Sequence, residues 1–380
     1  MANILLTGGR APATLDLARS FHKAGHSVFV AESLAGSLTG ASNAIRDAFV
    51  VPSPRQQPDA FIDALAAIIQ RQGIDLLIPT CEEIFYVALG LEKLAGLCRV
   101  FAEPIERLRL LHDKWQFIET ARSAGLPVPG TLRIETETDL RAAFARWPRL
   151  VLKPVYSRFA ARTLILPSDS TDFDTLGASP ISPWVAQEYL AGQPLCTYSV
   201  AHAGRLTAHA AYRSEFTAGQ GATIHFQHVN HPASLAWVRR FVEAFGFTGQ
   251  IAFDFIETDG TVRAIECNPR ATSGIHLLAA APAFPDAFFH SAMDCLFPPA
   301  QPAPMLAAAM LLYGLPAALE KGRLSDWWQA FHAGRDVIFR RADMGPTFAQ
   351  WRSILHFISL GWRRGTTALE ASTLDIEWNG

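Results

Sequence analysis

Asp254-Phe255-Ile256-Glu257-Thr258-Asp259-Gly260-Thr261-Val262-Arg263-Ala264-Ile265-Glu266-Cys267-Asn268-Pro269-Arg270 is the stretch on which the reading of this chain turns. Two strand-like runs flank an Asp-Gly pair, a strong short-range signal for a β-hairpin. Such a hairpin can aim the carboxylates of Asp254 and Glu266 and the amide of Asn268 at one point. Mg2+ takes hard oxygen ligands in octahedral geometry, commonly one or two carboxylates plus substrate phosphates, so these three are a chemically sufficient set. The alternative is a surface hairpin whose carboxylates are merely solvated. Side chains alternate faces along a strand, so the metal reading requires all three to share a face. Glu266 and Asn268 do so by spacing. A two-residue Asp259-Gly260 turn would pair Asp254 with Ile265 and turn it away from Glu266. A three-residue Thr258-Asp259-Gly260 loop restores the match and is the expected turn.

A chain of 380 residues is too long for one typical core and predicts two or three domains. Hydrophobic residues make up 49% of it, enough to build those cores and to argue against disorder. A formal net charge of -2 lacks the basic excess that a phosphate-backbone footprint would need, so no nucleic-acid partner is expected. Cys81, Cys98, Cys196, Cys267 and Cys295 are scattered, with no C-x-x-C pair, which predicts reduced thiols, no structural zinc and a cytoplasmic setting. The N-terminus shows no signal-peptide pattern. The most apolar tract, Met305 to Leu315, falls well short of the roughly 20 residues a membrane span needs and predicts a buried helix.

Asn3 to Leu6, a Thr7-Gly8-Gly9-Arg10 turn, a helix over Ala13 to Ala24 and a strand over Val28 to Val30 make a βαβ start. The turn is not G-x-G-x-x-G, so NAD is only weakly supported despite Glu32 at about the right distance. A helix near Pro58 to Gln72 leads to the strand Leu76 to Pro79, whose C-end carries Thr80-Cys81-Glu82-Glu83. Either glutamate there could meet substrate or simply complement a helix dipole. Leu108 to Ala124 reads as one helix carrying His112-Asp113-Lys114-Trp115. The strand Arg149 to Lys153 ends at Pro154, Trp184 to Leu190 is a further strand, and Tyr198 to Ala201 with Leu206 to Ala211 form an antiparallel pair.

In order, the chain offers a βαβ domain, Asp113-Lys114 on a helix, Val151-Leu152-Lys153-Pro154 ending a strand, Gln187-Glu188-Tyr189-Leu190 on another, and Asp254 then Glu266-x-Asn268-Pro269-Arg270 on a hairpin. This series resembles the ATP-grasp superfamily, and within it the carbamoyl phosphate synthetase-like carboxylate-amine ligases, over roughly residues 1 to 300. The resemblance implies an α/β and α+β architecture in four parts. A Rossmann-like pre-ATP-grasp domain spans 1–107, a small lid subdomain 108–190, an antiparallel metal-binding subdomain 191–300 and a helical extension 301–380. It implies ATP and Mg2+, with Mn2+ as a substitute. Lys114 and Lys153 would hold the phosphates, Gln187, Glu188 and Leu190 would meet adenine and ribose, and Asp254, Glu266 and Asn268 would bind the metal. Arg270, with Lys153, would steady the transferred phosphoryl group.

Two departures from the family pattern stand out. The loop after Lys153 is Val155-Tyr156-Ser157-Arg158-Phe159-Ala160-Ala161-Arg162 rather than glycine-rich, so Ser157, Arg158 and Arg162 are the candidate phosphate contacts. After Gly192 the family's ribose-contacting glutamate is replaced by Gln193-Pro194. The implied reaction is attack of a carboxylate on the γ-phosphate to give an acyl phosphate, captured by an amine, a thiol or a similar nucleophile. Partners are therefore a small or carrier-bound acid and that nucleophile, with a homodimer allowed. Acceptor candidates are Arg10, Glu83, Tyr212, Arg213 and Gly219-Gln220-Gly221. Rival readings are a carboxylase or kinase on the same fold, a non-catalytic nucleotide-binding scaffold, and a nicotinamide oxidoreductase. His225, His228 and His231 alternate faces on an extended segment and do not suggest a second metal. Trp351, Ile354, Leu355, Ile358 and Trp362 lie at helical spacing, with Arg352, Arg363 and Arg364 nearby, and predict an amphipathic helix. Packing back on the catalytic domain is the commoner use of such a stripe, and docking a partner protein or lying on a membrane surface are the alternatives. Thr373 to Trp378 alternates as a short closing strand would.

Overall fold

The computed structural model describes residues 1–156, 162–167, 171–219 and 221–380. Its first layer is a parallel sheet of β1 (Asn3–Thr7), β2 (Ser27–Glu32), β3 (Asp47–Val50), β4 (Leu76–Ile78) and β5 (Arg99–Val100), in the order β3-β2-β1-β4-β5. Helix α1 (Pro12–Lys23) starts on a proline whose fixed φ suits the first turn, and it buries Leu15, Leu17, Ala18 and Phe21. Helices α2 (Pro58–Gln72), α3 (Glu83–Leu89) and α4 (Leu91–Ala95) complete this layer. Strand order reverses between β1 and β4, so the crevice at the C-terminal ends of these strands is where such a sheet takes a ligand.

The expected single helix over Leu108 to Ala124 is two: α5 (Ile105–His112) and α6 (Lys114–Ser123). Asp113 breaks it, because its extended backbone lets its side chain accept from Trp115 N and Gln116 N and cap α6. That break puts Lys114 at the first position of α6. Next comes a small sheet of β6 (Thr131–Ile134), β7 (Leu150–Pro154), β8 (Leu164–Ile165) and β9 (Trp184–Glu188), ordered β6-β9-β7-β8, with α7 (Glu137–Arg146) and α8 (Phe173–Leu176).

The second large sheet is antiparallel, ordered β14-β11-β10-β15-β16, from β10 (Gln193–His202), β11 (Arg205–Ser214), β14 (Phe226–His228), β15 (Gly249–Thr258) and β16 (Thr261–Asn268). The short ribbon β12 (Thr217–Ala218) and β13 (Ala222–Thr223) lies beside it. One face packs Leu195, Ile251, Phe253, Phe255, Val262, Ala264 and Cys267 against Trp237, Val238, Phe241 and Val242 of α9 (Pro232–Phe245) and Phe117, Ile118 and Ala121 of α6. Each such fully buried large side chain contributes about 1.5–3 kcal/mol.

The hairpin corrects the expected loop. Thr258 pairs with Thr261, so the turn is the two-residue Asp259-Gly260, both at positive φ (50° and 74°) as a type I′ turn requires. The match is restored by a β-bulge instead: Phe255 pairs with Ala264 and Asp254 with Glu266, leaving Ile265 as an extra residue on β16. Val262 and Ala264 face the helices, and after the skipped step Cys267 does too, which throws Glu266 and Asn268 to the side of Asp254.

The remaining helices are α10 (Ile275–Leu278), α11 (Ala307–Ala309), α12 (Leu315–Glu320), α13 (Leu324–Ala333), α14 (Gly345–Arg364) and α15 (Ala368–Ala371). Met305 to Leu315 is not the buried helix expected: Met305, Ala308 and Met310 turn inward while Leu311, Leu312 and Tyr313 are exposed. Thr373 to Trp378 forms turns rather than a strand. Among the described residues, no helix is long and apolar enough to cross a membrane.

Candidate active site

Three elements carry cations and ligand atoms to one place. β7 ends in Lys153, buried, whose Nζ donates to Gln187 Oε1 on β9 at 3.1 Å and to the Ile265 carbonyl at 2.9 Å. The second acceptor exists because the bulge frees that carbonyl from the ladder. From the start of α6, Lys114 Nζ lies 3.6 Å from Glu266 Oε1 and donates to Val155 O at 3.5 Å. Asp254 faces Glu266 across the hairpin, Asn268 Nδ2 donates to Asp254 Oδ2 at 3.4 Å, and Arg270 Nη2 donates to Asn268 Oδ1 at 3.0 Å.

The charges are unevenly shared. Burial, with the Glu266 carboxylate opposite, pushes the Asp254 carboxyl up to about 6. Burial also opposes ionisation of Glu266, but Lys114 and Lys153 outweigh it and hold that carboxyl below its ordinary value. Burial drags the Lys153 ammonium down to about 8, with Glu266 only partly offsetting it. Two facing carboxylates with an adjacent amide make an all-oxygen donor set suited to Mg2+, and their repulsion is what a divalent cation relieves. Asn268 presents its NH2 to Asp254 in this arrangement, so it reaches a metal only after its amide rotates half a turn.

Other candidates fall differently. Gln187 is buried between Lys153 and Thr131 Oγ1, and so orients the lysine rather than offering itself to a base. Glu188 Oε1 accepts from Gly130 N, which ties β9 to the β6 approach. Leu190 is partly buried just beyond β9. Ser157 and Arg158 lie outside the described residues, as does Gln220, while Arg162 Nη2 donates to Leu176 O.

Of the acceptor candidates, Arg213 pairs with Glu257 near the turn end of the hairpin, away from Asp254. Tyr212 is buried on β11, where it pairs with Cys196, and Cys196 in turn pairs with Asp254. Glu83 is buried and accepts from Thr7 Oγ1, Thr80 N and Cys81 N, with burial raising its carboxyl. Its neighbour Glu82 is the one that reaches the site, 3.6 Å from Arg270.

Arg10 is held by Glu32 and by Asp375, which no local sequence signal singles out, at 2.5 and 2.6 Å. Glu32 is thus engaged by Arg10, which leaves it poorly placed for the ribose of NAD. Beyond Asp375 the chain crosses the crevice. Tyr86 donates to Glu377 O, Trp378 N donates to Glu82 Oε2 at 3.2 Å, the Trp378 ring stacks on Phe85, and Gly380 lies against Tyr156. Contacts between residues hundreds of positions apart leave no local pattern, and only geometry reveals them. The histidines do not converge: His231 caps α9 and meets Glu257, His228 bonds Ala211 O, and His225 packs edge-on to Phe216. Among the described residues no cluster of three or more His, Cys, Asp or Glu could hold a metal ion.

Residues 111–274 match the family model described as ATP-grasp domain. No curated protein matches the chain. Among solved structures, N5-carboxyaminoimidazole synthetase from Staphylococcus aureus is similar at 16% identity, over 84% of this chain and 86% of that one, with a TM-score of 0.64. Biotin carboxylase from Campylobacter jejuni follows at 12% identity, over 79% and 73%, TM-score 0.60. L-amino acid ligase from Bacillus licheniformis is similar at 16% identity, over 72% and 68%, TM-score 0.54. The chain therefore has the ATP-grasp fold, and its residues 111–274 are an ATP-grasp domain.

Proposed function

We propose that the chain is an ATP-dependent ligase that activates a small carboxylate as an acyl phosphate and joins it to an amine or a thiol, releasing ADP and phosphate. The observation that carries this reading is the convergence of Lys114, Lys153 and Arg270 on the face that holds Asp254, Glu266 and Asn268. Phosphoryl transfer needs chiefly positioning and charge neutralisation, which these groups supply without a dedicated base. Lys114 and Lys153 bind the polyphosphate, and Gln187 with the Ile265 carbonyl fixes where the Lys153 charge points. Mg2+ held by Asp254, Glu266 and Asn268 would add positive charge at the phosphates. Arg270, steered by Glu82 and Asn268, faces the transferred group and orients it.

In the first step a carboxylate oxygen bonds to the γ-phosphorus as the bond to ADP breaks. In the second the nucleophile bonds to the acyl carbon, phosphate leaves with the C–O electron pair, and the nucleophile's proton passes to solvent.

The names of the similar proteins, a synthetase, a carboxylase and an amino acid ligase, support an acid panel that begins with amino acids and with bicarbonate, the anion in the complex of a similar biotin carboxylase domain, with amines and thiols as acceptors. ADP release is measured for each acid with and without each nucleophile. Release that needs both supports the ligase, and release with bicarbonate plus an acceptor makes it a carboxylase. Binding of Mg-ATP with no turnover across the panel would leave a nucleotide-binding scaffold instead.

A further inference from the structure

Helix α14 carries an apolar strip that the fold leaves uncovered. Its inner face is moored: Pro346, Ala349 and Gly361 are buried, Gly345 sits against the Ala41 carbonyl, and Arg352 donates to Gly36 O. The sequence pattern led to the expectation that Trp351, Ile354, Leu355, Ile358 and Trp362 would pack inward as well. Only Ile354 is partly covered. Phe348, Trp351, Leu355, Ile358 and Trp362, spaced three, four, three and four residues apart, form one line along the outside, with Phe348 69% exposed, Leu355 68% and Trp362 89%. Exposed apolar side chains in a continuous line mark an interaction surface.

The charge beside the strip selects its occupant. The helix Gly345–Arg364 contains no Asp or Glu, and its charged side chains are Arg352, Arg363 and Arg364, all exposed and the last two in its final turn. A second copy of this helix laid along the strip would find no acid to pair with those arginines. An apolar line of Trp, Phe, Leu and Ile on a helix whose charged side chains are arginines alone has the composition of a helix that lies in the plane of a bilayer surface, its rings at headgroup depth and its cations on anionic lipid. We propose that α14 docks the protein on an anionic phospholipid bilayer, with Phe348, Trp351, Leu355, Ile358 and Trp362 buried in the interface. The site chemistry takes no part in this, so it stands or falls apart from the ligase reading.

The full chain is floated with vesicles of phosphatidylcholine alone and of phosphatidylcholine with one-third phosphatidylglycerol. It is expected to float with the anionic vesicles and to be released as salt rises. Arg363→Gln/Arg364→Gln should weaken partitioning about fivefold for each arginine removed. Leu355→Ser/Trp362→Ser should abolish flotation while keeping the wild-type melting temperature, which shows the fold intact. Equal flotation with neutral vesicles, or none with either, overturns the proposal. So does a concentration-dependent dimer in lipid-free buffer that the serine variant dissolves, since a second copy would then cover the strip.

Discussion

Lys153 is the residue whose surroundings say most about its use. A buried ammonium given a side-chain amide oxygen and a free backbone carbonyl is aimed, and replacing it leaves both acceptors without a donor. Lys153→Met should cut Mg-ATP affinity at least about tenfold, the loss of a charge-assisted contact being on the order of 1.5–3 kcal/mol. Isothermal titration settles it, and unchanged affinity would remove Lys153 from the phosphate site. The same residue sets a pH limit. Its ammonium, dragged down to about 8 by burial, is charged below that pH and neutral above it, so nucleotide affinity should fall as pH climbs through 8. The sign for folding is the reverse. The native state holds fewer protons here than an unfolded chain with lysine near 10.4, so this group's contribution to stability grows as pH rises from about 8 to 10. Affinity measured from pH 6.5 to 9.5 and melts over 7.5 to 10 should therefore trend in opposite directions.

At the scale of elements, the hairpin shows what a sequence displays and what it hides. Its strands, Asp-Gly turn and ligand set are all visible in order, because turn chemistry and charge are local. The bulge is visible only in the step from Val262 and Ala264 to Cys267, where apolar spacing goes from two to three, and no glycine advertises it. The break at Asp113 is similar: a capping residue inside a helical pattern, settled by the tertiary direction of α6. The strip of α14 is exposed although its pattern suits inward packing, because helical periodicity reports that a face is apolar and not what covers it. Deleting Ile265 should straighten β16, leave Glu266 opposite Asp254 in a regular ladder and take from Lys153 the carbonyl that aims it. The variant is expected to keep a cooperative melt with a smaller Mg-ATP thermal shift, and an unchanged shift would deny the bulge its part in aiming Lys153.

For the molecule as a whole, the segment from Ser372 to Trp378 lies across the crevice of the parallel sheet and touches both halves of the candidate site. Asp375 holds Arg10 at the end of β1, while Trp378 engages Glu82, whose other oxygen lies near Arg270. Trp378→Ala removes the stack on Phe85 and the edge contact to Tyr86 and should cost about 2 kcal/mol of stability, read by urea denaturation. If the ring contributes only surface area, the loss will be under about 0.5 kcal/mol. A chain that supplies its own carboxylate to Arg10 also competes with any acid that would bind there. A segment seated 99 times in 100 weakens such a ligand about a hundredfold, because only the remaining molecules can receive it. An acid that does win Arg10 must set the segment loose, and its binding would register as faster trypsin cleavage at Arg364 than in the ligand-free protein.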